Sequence, residues 1–510
     1  MDESKKKKEY LKKLEKRKLK KSQEYKALAF STGITLVFAL LFGFFGYSFI
    51  TGEVRVIPLI IAAAFLAEGL AQGLILRKMR AQILCQRPVS TAIRLSGLLL
   101  IIFICTGNIF AAAAGFTLIK KSRTLEYTMT IYALITTVFV MMVSALNLFK
   151  DYVSNSFMLG MGLLTAMIVF YLLTFFLIHL WERDGAVDKK LLPVAVLLMI
   201  TSASGNIFAL VAGLLIISHY RHQRQERSIE WIDIFDRLFR NNMAVVGMLV
   251  VIILLSLSIV STLTFDYGIA IDNDYSALLQ PISLKYPFGT DNYGRCVFTR
   301  IVFGARISLI VGLCVTFVPM VAGGVLGAAA GYFGKRTDNT IMRFLDILYA
   351  VPDILLAISI IAAFGANLVN LVAALSIGTI AVYARTVRAT VLGLCNSEFV
   401  EAARASGAKD WNIIFHHIIP NSMAPIIVRM TMGIGTAVLS TSSLSYLGLG
   451  VEPYIPEWGN VLNIGSKYLE TNPYLAGPAA SPTAPQWFCR RRFRQQGPVL
   501  HPFLSGDSLR

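Results

Sequence analysis

The residues of this 510-residue chain that could do chemistry are few. The most informative lie in EAARASGAKDWNIIFHHIIPN, residues 401–421, a polar segment set between long apolar runs. Glu401 places a carboxylate at a helix start, where it can pair with a cationic partner side chain. Ala402 and Ala403 are strong helix formers with too little bulk to obstruct entry into a cleft. Gly407 supplies a break where the chain can reverse, and Pro420 closes the segment before the next apolar run. The segment reads as two short helices made to touch something. Other reactive residue types show no useful spacing. The six cysteines, at 85, 105, 296, 314, 395 and 489, have neither paired spacing nor a C-x-x-C. His416 and His417 are adjacent, which does not point both rings to one metal. Gly334-Lys335 is followed by Arg336 and has no glycine five residues upstream, so it is no phosphate-binding loop. We expect no catalytic residue, no metal and no cofactor on this chain.

The elements that position this segment are set by composition. With 55% apolar and 15% charged residues, and a mean hydropathy of +0.63, lipid must be the solvent for much of the chain. A bilayer core of roughly 30 Å takes about 20 apolar residues in a helix. Eleven windows qualify, near 27–50, 56–76, 95–119, 128–149, 156–181, 191–218, 243–265, 307–333, 341–364, 367–392 and 422–448. The expected fold is an all-α polytopic membrane protein. The net charge of +18 gathers at membrane-flanking loops, which argues against nucleic acid as a partner. Twelve Lys/Arg against five acids in residues 1–26 mark a basic tail and place the amino terminus in the cytoplasm. Arg77, Lys78, Arg80, Arg87 and Arg94 mark the second connection likewise. Counting spans onward brings residues 401–421 inside too, while Lys120, Lys121 and Arg123 dissent by falling outside.

Within the apolar runs a few residues stand out. Gly323, Gly327 and Gly331 recur every four positions and line one helix face without side chains, so another helix can approach closely. Asp346 precedes Pro352, which interrupts an apolar window; a proline there frees a carbonyl and kinks the helix, so the pair is a pathway or kink candidate. Glu68 is the lone carboxylate well inside an early span, and we expect it to be neutralised or interface-facing. GNIFAAAAG at 107–115 echoes GNIFALVAG at 205–213, a period of 98 residues. That echo predicts two three-helix repeats in a six-span domain at 27–228, inverted relative to each other because three spans reverse the chain.

From residue 229 onward a series of blocks resembles the permease family of binding-protein-dependent ABC importers, in the oligopeptide, dipeptide and nickel branch. RLFRNNMAVVGMLVVIILLSLSIVS at 237–261 is similar to the family's amino-terminal segment. FGTDNYGRCVFTRIVFGARISLIVG at 288–312 resembles its external segment and following helix, with Cys296 where an aspartate is usual. MRFLDILYAVPDILLAI at 342–358, the 401–421 segment ending in His417-Ile418-Ile419-Pro420, and LSYLGLGVEPYIPEWG at 444–459 follow in the family's order. The resemblance implies a type I importer permease domain over 229–476, with Glu401, Ala402, Ala403, Gly407, Ile419 and Pro420 forming the loop that docks a cytosolic ATPase. It implies a sister permease, two ABC ATPase subunits that hydrolyse the ATP, an extracytoplasmic solute-binding protein and a plasma (inner) membrane setting. The rival expectation is a non-transporting membrane sensor or scaffold on the same fold. A sixth permease span is expected after Ala476. Instead, residues 477–510 carry Pro478, Pro482, Pro485 and four arginines at 490, 491, 492 and 494, each arginine costing roughly 2.5–3.5 kcal/mol at a bilayer centre. We read that tail as non-membrane and expect a frameshift in the gene.

Overall fold

The computed structural model describes residues 19, 22–46, 56–85, 89–119, 124–150, 153–183, 186–222, 242–469, 471–472 and 475. Most of the basic tail, Lys120 to Arg123, the boundary expected at 228 and the tail at 477–510 therefore lie outside the described residues. The regular secondary structure of the described residues is helical, apart from a two-residue antiparallel ribbon that pairs Glu182 with Val187 and an isolated bridge between Thr290 and Cys296. They form two compact units that divide between Phe265 and Asp266.

The first unit contains α1 (Gln23–Phe45), α2 (Val56–Leu84), α3 (Thr91–Ile102), α4 (Ile109–Ile119), α5 (Leu125–Ala145), α6 (Phe157–Trp181), α7 (Leu192–Thr201), α8 (Ile207–His222) and α9 (Asn242–Thr264). The apolar window at 95–119 does not cross as one helix. After α3 a 3-10 turn, Phe103–Thr106, leads to Gly107 at φ +84°, and the chain folds back as α4. That left-handed φ suits glycine and little else. Asn108 then caps the returning helix, its Oδ1 accepting from the Ala111 N–H at 3.0 Å. The two limbs touch at backbone distance, since a Cβ on Gly97 would meet the Gly115 carbonyl at 2.6 Å. The window at 191–218 repeats the design. Gly205 also sits at φ +84°, and a Cβ on Gly213 would meet the Ala195 carbonyl at 2.6 Å.

Each repeat is thus two long helices followed by a half-length hairpin, and this corrects the inverted arrangement expected above. A hairpin returns the chain to the face it left, so a repeat crosses twice and the two copies run in the same sense. Among the described residues seven helices are long and apolar enough to cross a membrane, or nine if each of two bent pairs is one span. The two hairpins account for the difference from eleven windows.

Helix α9, which the sequence assigned to the permease-like half, packs on α5 and α6: Asn147 Nδ2 donates to the Thr264 carbonyl at 2.8 Å and Ser156 Oγ to that of Leu263 at 2.9 Å. By packing, it completes the first unit.

The second unit runs from an external-type segment at 266–296 into α10 (Val297–Phe333), then α11 (Lys335–Ala350), α12 (Asp353–Phe364), α13 (Leu368–Leu394), α14 (Glu398–Ala405), α15 (Asp410–Ile413), α16 (Ile419–Tyr446) and α17 (Trp458–Ser466). Its centre is the pair α10 and α13. The glycine stripe makes that pairing: a Cβ on Gly323 would meet the Ile380 carbonyl at 2.6 Å, one on Gly331 the Val391 side chain at 2.9 Å, and one on Gly327 would collide with the Ala384 carbonyl. The face predicted to pack tightly does so within the chain. Gly327→Leu is expected to force these helices apart, overpacking by about 1–3 kcal/mol or more, and to cut the yield of monodisperse protein in detergent. Unchanged yield and melting temperature would refute the contact.

Candidate coupling surface

Residues 397–418 build a small platform at one end of α10 and α13. Ser397 is extended and starts α14, which stops at Ser406. Gly407, at φ +76°, then turns the chain, with its N–H bonded to the Arg404 carbonyl at 2.9 Å and that of Ala408 to the Ala403 carbonyl at 3.2 Å. This paired closure is a Schellman motif, and it needs the left-handed residue that glycine provides. Helix α15 follows, and a single π-helical turn at Ile414–Ile418 leads into α16.

Beneath the platform, Val400, Ile413, Ile414 and Ile418 are buried against Ala328 of α10, Val387 and Val391 of α13 and Ile426 of α16. Each such side chain contributes about 1.5–3 kcal/mol, enough to fasten a short two-helix segment. Ala403 and Ile419 are partly buried against the same cluster. Glu401, Ala402 and Ala405 face outward and are exposed, as is Gly407. Glu401 lies in the first turn of α14, and its exposed carboxylate has no bonded partner among the described residues.

Pro420 does not close the segment as the sequence suggested. It occupies the first turn of α16, where a missing N–H breaks no hydrogen bond. The helix continues to Met423 and bends by 62° at Pro425 instead. Nor does Pro352 kink a continuous span. Val351 and Pro352 separate α11 from α12 entirely, at an angle of 82°, because the residue before a proline is driven to extended backbone. Asp346 is exposed near the end of α11 and is held by Arg385 of α13 at 2.6 Å, whose guanidinium also covers the Tyr349 ring. Arg388, one turn on, grips Asp338 with two nitrogens. These pairs fasten α11 to α13. Asp346 is committed there as an ion-pair partner.

Sequence reasoning missed Tyr332. Its hydroxyl donates to Asp410 Oδ1 at 2.7 Å and lies 3.4 Å from Arg404 Nε, while neighbouring Phe333 packs edge-on to Trp411 at 5.6 Å. The end of α10 is thereby joined to both helices of the platform. Glu401 shares α14 with Arg404, which meets Tyr332 of α10, and with Val400, which packs on Val387 and Val391 of α13.

Comparison with known proteins decides what such a platform belongs to. The family described as "Binding-protein-dependent transport system inner membrane component" matches residues 323–484. The one described as "N-terminal TM domain of oligopeptide transport permease C" matches 230–281. The dipeptide transport system permease protein of Alkalihalophilus pseudofirmus is 41% identical over 244 residues, which span 48% of this chain and 80% of that protein. The chain belongs to the binding-protein-dependent ABC importer permeases. Glutathione transport system permease proteins match this permease similarly, at 38% identity over 246 residues for Pectobacterium atrosepticum (48% of this chain, 82% of that protein) and 39% over 246 for Escherichia coli O157:H7 (48% and 81%). Both family matches begin at or beyond residue 230, so the duplicated half of the permease is an extension to them.

The end of the permease opposite the platform is held by a second residue that the sequence did not single out. Glu457 is fully buried. Its Oε1 accepts from Ser308 of α10 at 3.0 Å and Ser442 of α16 at 2.9 Å, and its Oε2 from the Gly459 and Asn460 N–H groups at 2.7 and 3.3 Å. One carboxyl group thus joins α10 to α16 and caps α17. Nearby, Asp291 takes Arg295 Nε at 2.9 Å while buried Arg300 donates to the Ala270 carbonyl at 2.8 Å. Cys296 ends that segment as the α10 cap residue, without the side-chain hydrogen bond an aspartate would supply.

Proposed function

We propose that this permease imports a short peptide or related small solute and couples to a cytosolic ABC ATPase through Glu401, Ala402, Ala405 and Gly407. The observation that carries the reading is the platform itself: an outward carboxylate beside small residues, fastened by a buried apolar base to α10 and α13. Dipeptide and glutathione transport, named for the relatives, support a peptide-like cargo. In this reading a sister permease completes the path, two ATPase subunits bind and hydrolyse the ATP, and an extracytoplasmic binding protein delivers the solute. No cofactor is needed on this chain. Closure of the ATPases moves the platform, which carries α10 and α13 against the partner permease and alternates access.

The same reading sets the amino terminus in the cytoplasm of a plasma (inner) membrane. Two crossings per repeat return Ile119 to the cytoplasmic face, so the basic stretch at Lys120, Lys121 and Arg123 ceases to dissent from the positive-inside rule. A reporter fused after Arg123 should read cytoplasmic, as should one after Lys409, and one after Asp274 external. An external reading after Arg123 would restore the three-span repeat.

Function is tested by co-expressing the chain with its four partners, reconstituting the complex in liposomes, and following ATP-dependent accumulation of labelled di- and tripeptides. Uptake that requires the binding protein is the expected result. A stable complex that hydrolyses ATP but moves none of these would overturn the proposed cargo.

A further inference from the structure

Past its bend at Pro425, α16 runs on to Tyr446, about 33 Å at 1.5 Å per residue. The side of it that leaves the body of the unit divides in two. At about 100° per residue, Val428, Gly435 and Leu439 share one stripe, and Val428 and Leu439 are exposed. Arg429, Thr436, Ser440 and Ser443 share the neighbouring stripe; Ser440 is half-buried and the other three are exposed. Thr436 Oγ1 donates to the Gly433 carbonyl at 2.9 Å and Ser443 Oγ to that of Leu439 at 2.8 Å. With their protons spent on the helix, both hydroxyls keep acceptor oxygens for water. The apolar stripe suits lipid. A guanidinium keeps its charge in proteins, and charged side chains within a span face a bundle interior or a water-filled cavity. The polar stripe is therefore the side of α16 that lines the aqueous path.

Arg429 lacks an acceptor. Arg385 and Arg388 of α13 are committed to Asp346 and Asp338, whereas Arg429 makes no hydrogen bond or ion pair among the described residues. Asp353, exposed at the start of α12, sits against Gly378 of α13, where a Cβ would meet its Oδ1 at 3.0 Å, and forms no ion pair with Arg429. A second donor stands close by. Tyr383 of α13 is 4% exposed, and its hydroxyl has no hydrogen-bond partner. That hydroxyl reaches α16 one turn from Arg429, since a Cβ on Gly433 would collide with it, and the Arg429 charge acts on it. A guanidinium and a phenolic O–H, neither supplied with an acceptor, thus lie within a turn of each other. The group that completes them is an anion with paired oxygens, for which a guanidinium is the matching fork.

We propose that Arg429, beside the Tyr383 hydroxyl, is the point on the translocation path that binds the carboxylate of the cargo in transit. The proposal rests on the peptide import proposed above and names the group of the cargo that is recognised. Arg429 attracts and holds the carboxylate, while the hydroxyl oxygens of Thr436, Ser440 and Ser443 keep the rest of the stripe wet.

The test has two arms, both on the full complex. In nanodiscs at low ionic strength, Thr436→Cys, Ser440→Cys and Leu439→Cys are labelled with an anionic and a cationic methanethiosulfonate, with the labelling of the unsubstituted chain subtracted and rates normalised to a free thiol. Positions 436 and 440 should react and 439 should not. The anionic reagent should be favoured about fourfold by a charge some 10 Å away, and adding Arg429→Gln should erase that preference. In liposomes with saturating binding protein, uptake of a dipeptide is compared with uptake of its carboxyl-terminal amide. The wild type should favour the free acid by about tenfold, the worth of a hydrogen bond to a charged group. Arg429→Gln should carry both at the amide's rate, and Arg429→Lys should restore the preference. Unlabelled cysteines at 436 and 440, or a reagent preference that Arg429→Gln leaves intact, would overturn the proposal by turning Arg429 to lipid headgroups or the sister permease. Equal uptake of acid and amide by the wild type would overturn it too. A wild type that carries neither peptide but still favours the anionic reagent would sink the peptide cargo instead, and would support an anion-binding path for another solute.

Discussion

Substituting Gly407 with valine should abolish transport while leaving the chain folded and inserted. Gly407 sits at φ +76°, where a β-branched residue costs at least about 1–2 kcal/mol. Nothing lies within 4 Å of where its Cβ would stand, so the penalty is one of backbone conformation and not of crowding. The Schellman closure opens, and α14 loses its fixed angle to α15. Glu401→Lys reaches the same end through charge. Reversing a carboxylate that meets a cation in a desolvated interface costs about 2–5 kcal/mol, or roughly 30- to several thousand-fold in affinity. Both variants should appear in the membrane at wild-type levels, copurify poorly with the ATPases and show ATP hydrolysis that no longer responds to the solute-loaded binding protein. Wild-type uptake by either, with the complex intact, would remove the platform from the mechanism.

The second large effect is expected at Glu457. Glu457→Ala strands two serine hydroxyls and two helix N–H groups in a buried site, and we expect a loss of about 3–5 kcal/mol. That is a large share of the stability of an ordinary domain. The outcome should be aggregated protein, or a markedly lower melting temperature in detergent-detected size exclusion. Glu457→Gln keeps one acceptor and turns an amide donor toward the remaining groups, so it should fall between the two. If Glu457→Ala melts with the wild type, the joint between α10 and α16 carries little energy.

The sequence exposed what is local and hid what is not. Gly407 was legible because a glycine between two helix-forming runs has one conformational use, and the glycine stripe because its four-residue spacing maps onto one helix face. Glu457 was illegible: its partners Ser308 and Ser442 lie 149 and 15 positions away, and nothing around PEWG announces them. Tyr332 was missed for the same reason, with Asp410 at 78 positions. The hairpins were half legible. Averaged hydropathy could not see them, because a left-handed glycine hardly lowers the mean of a window, yet the Gly-Asn pair repeated at 107 and 205 was the signal. Its meaning, a turn, follows only once Gly107 and Gly205 are seen at positive φ.

The half-length hairpins also bear on how such a chain could arise. A segment that crosses a membrane an odd number of times inverts everything downstream each time it is copied, so a permease placed behind it would present its ATPase platform to the wrong side. A segment of two crossings and a returning loop has no such effect. It can be gained, duplicated or lost one copy at a time, and at every stage the side that Glu401 faces is unchanged. Parity, more than sequence, decides which extensions a coupled transporter can carry.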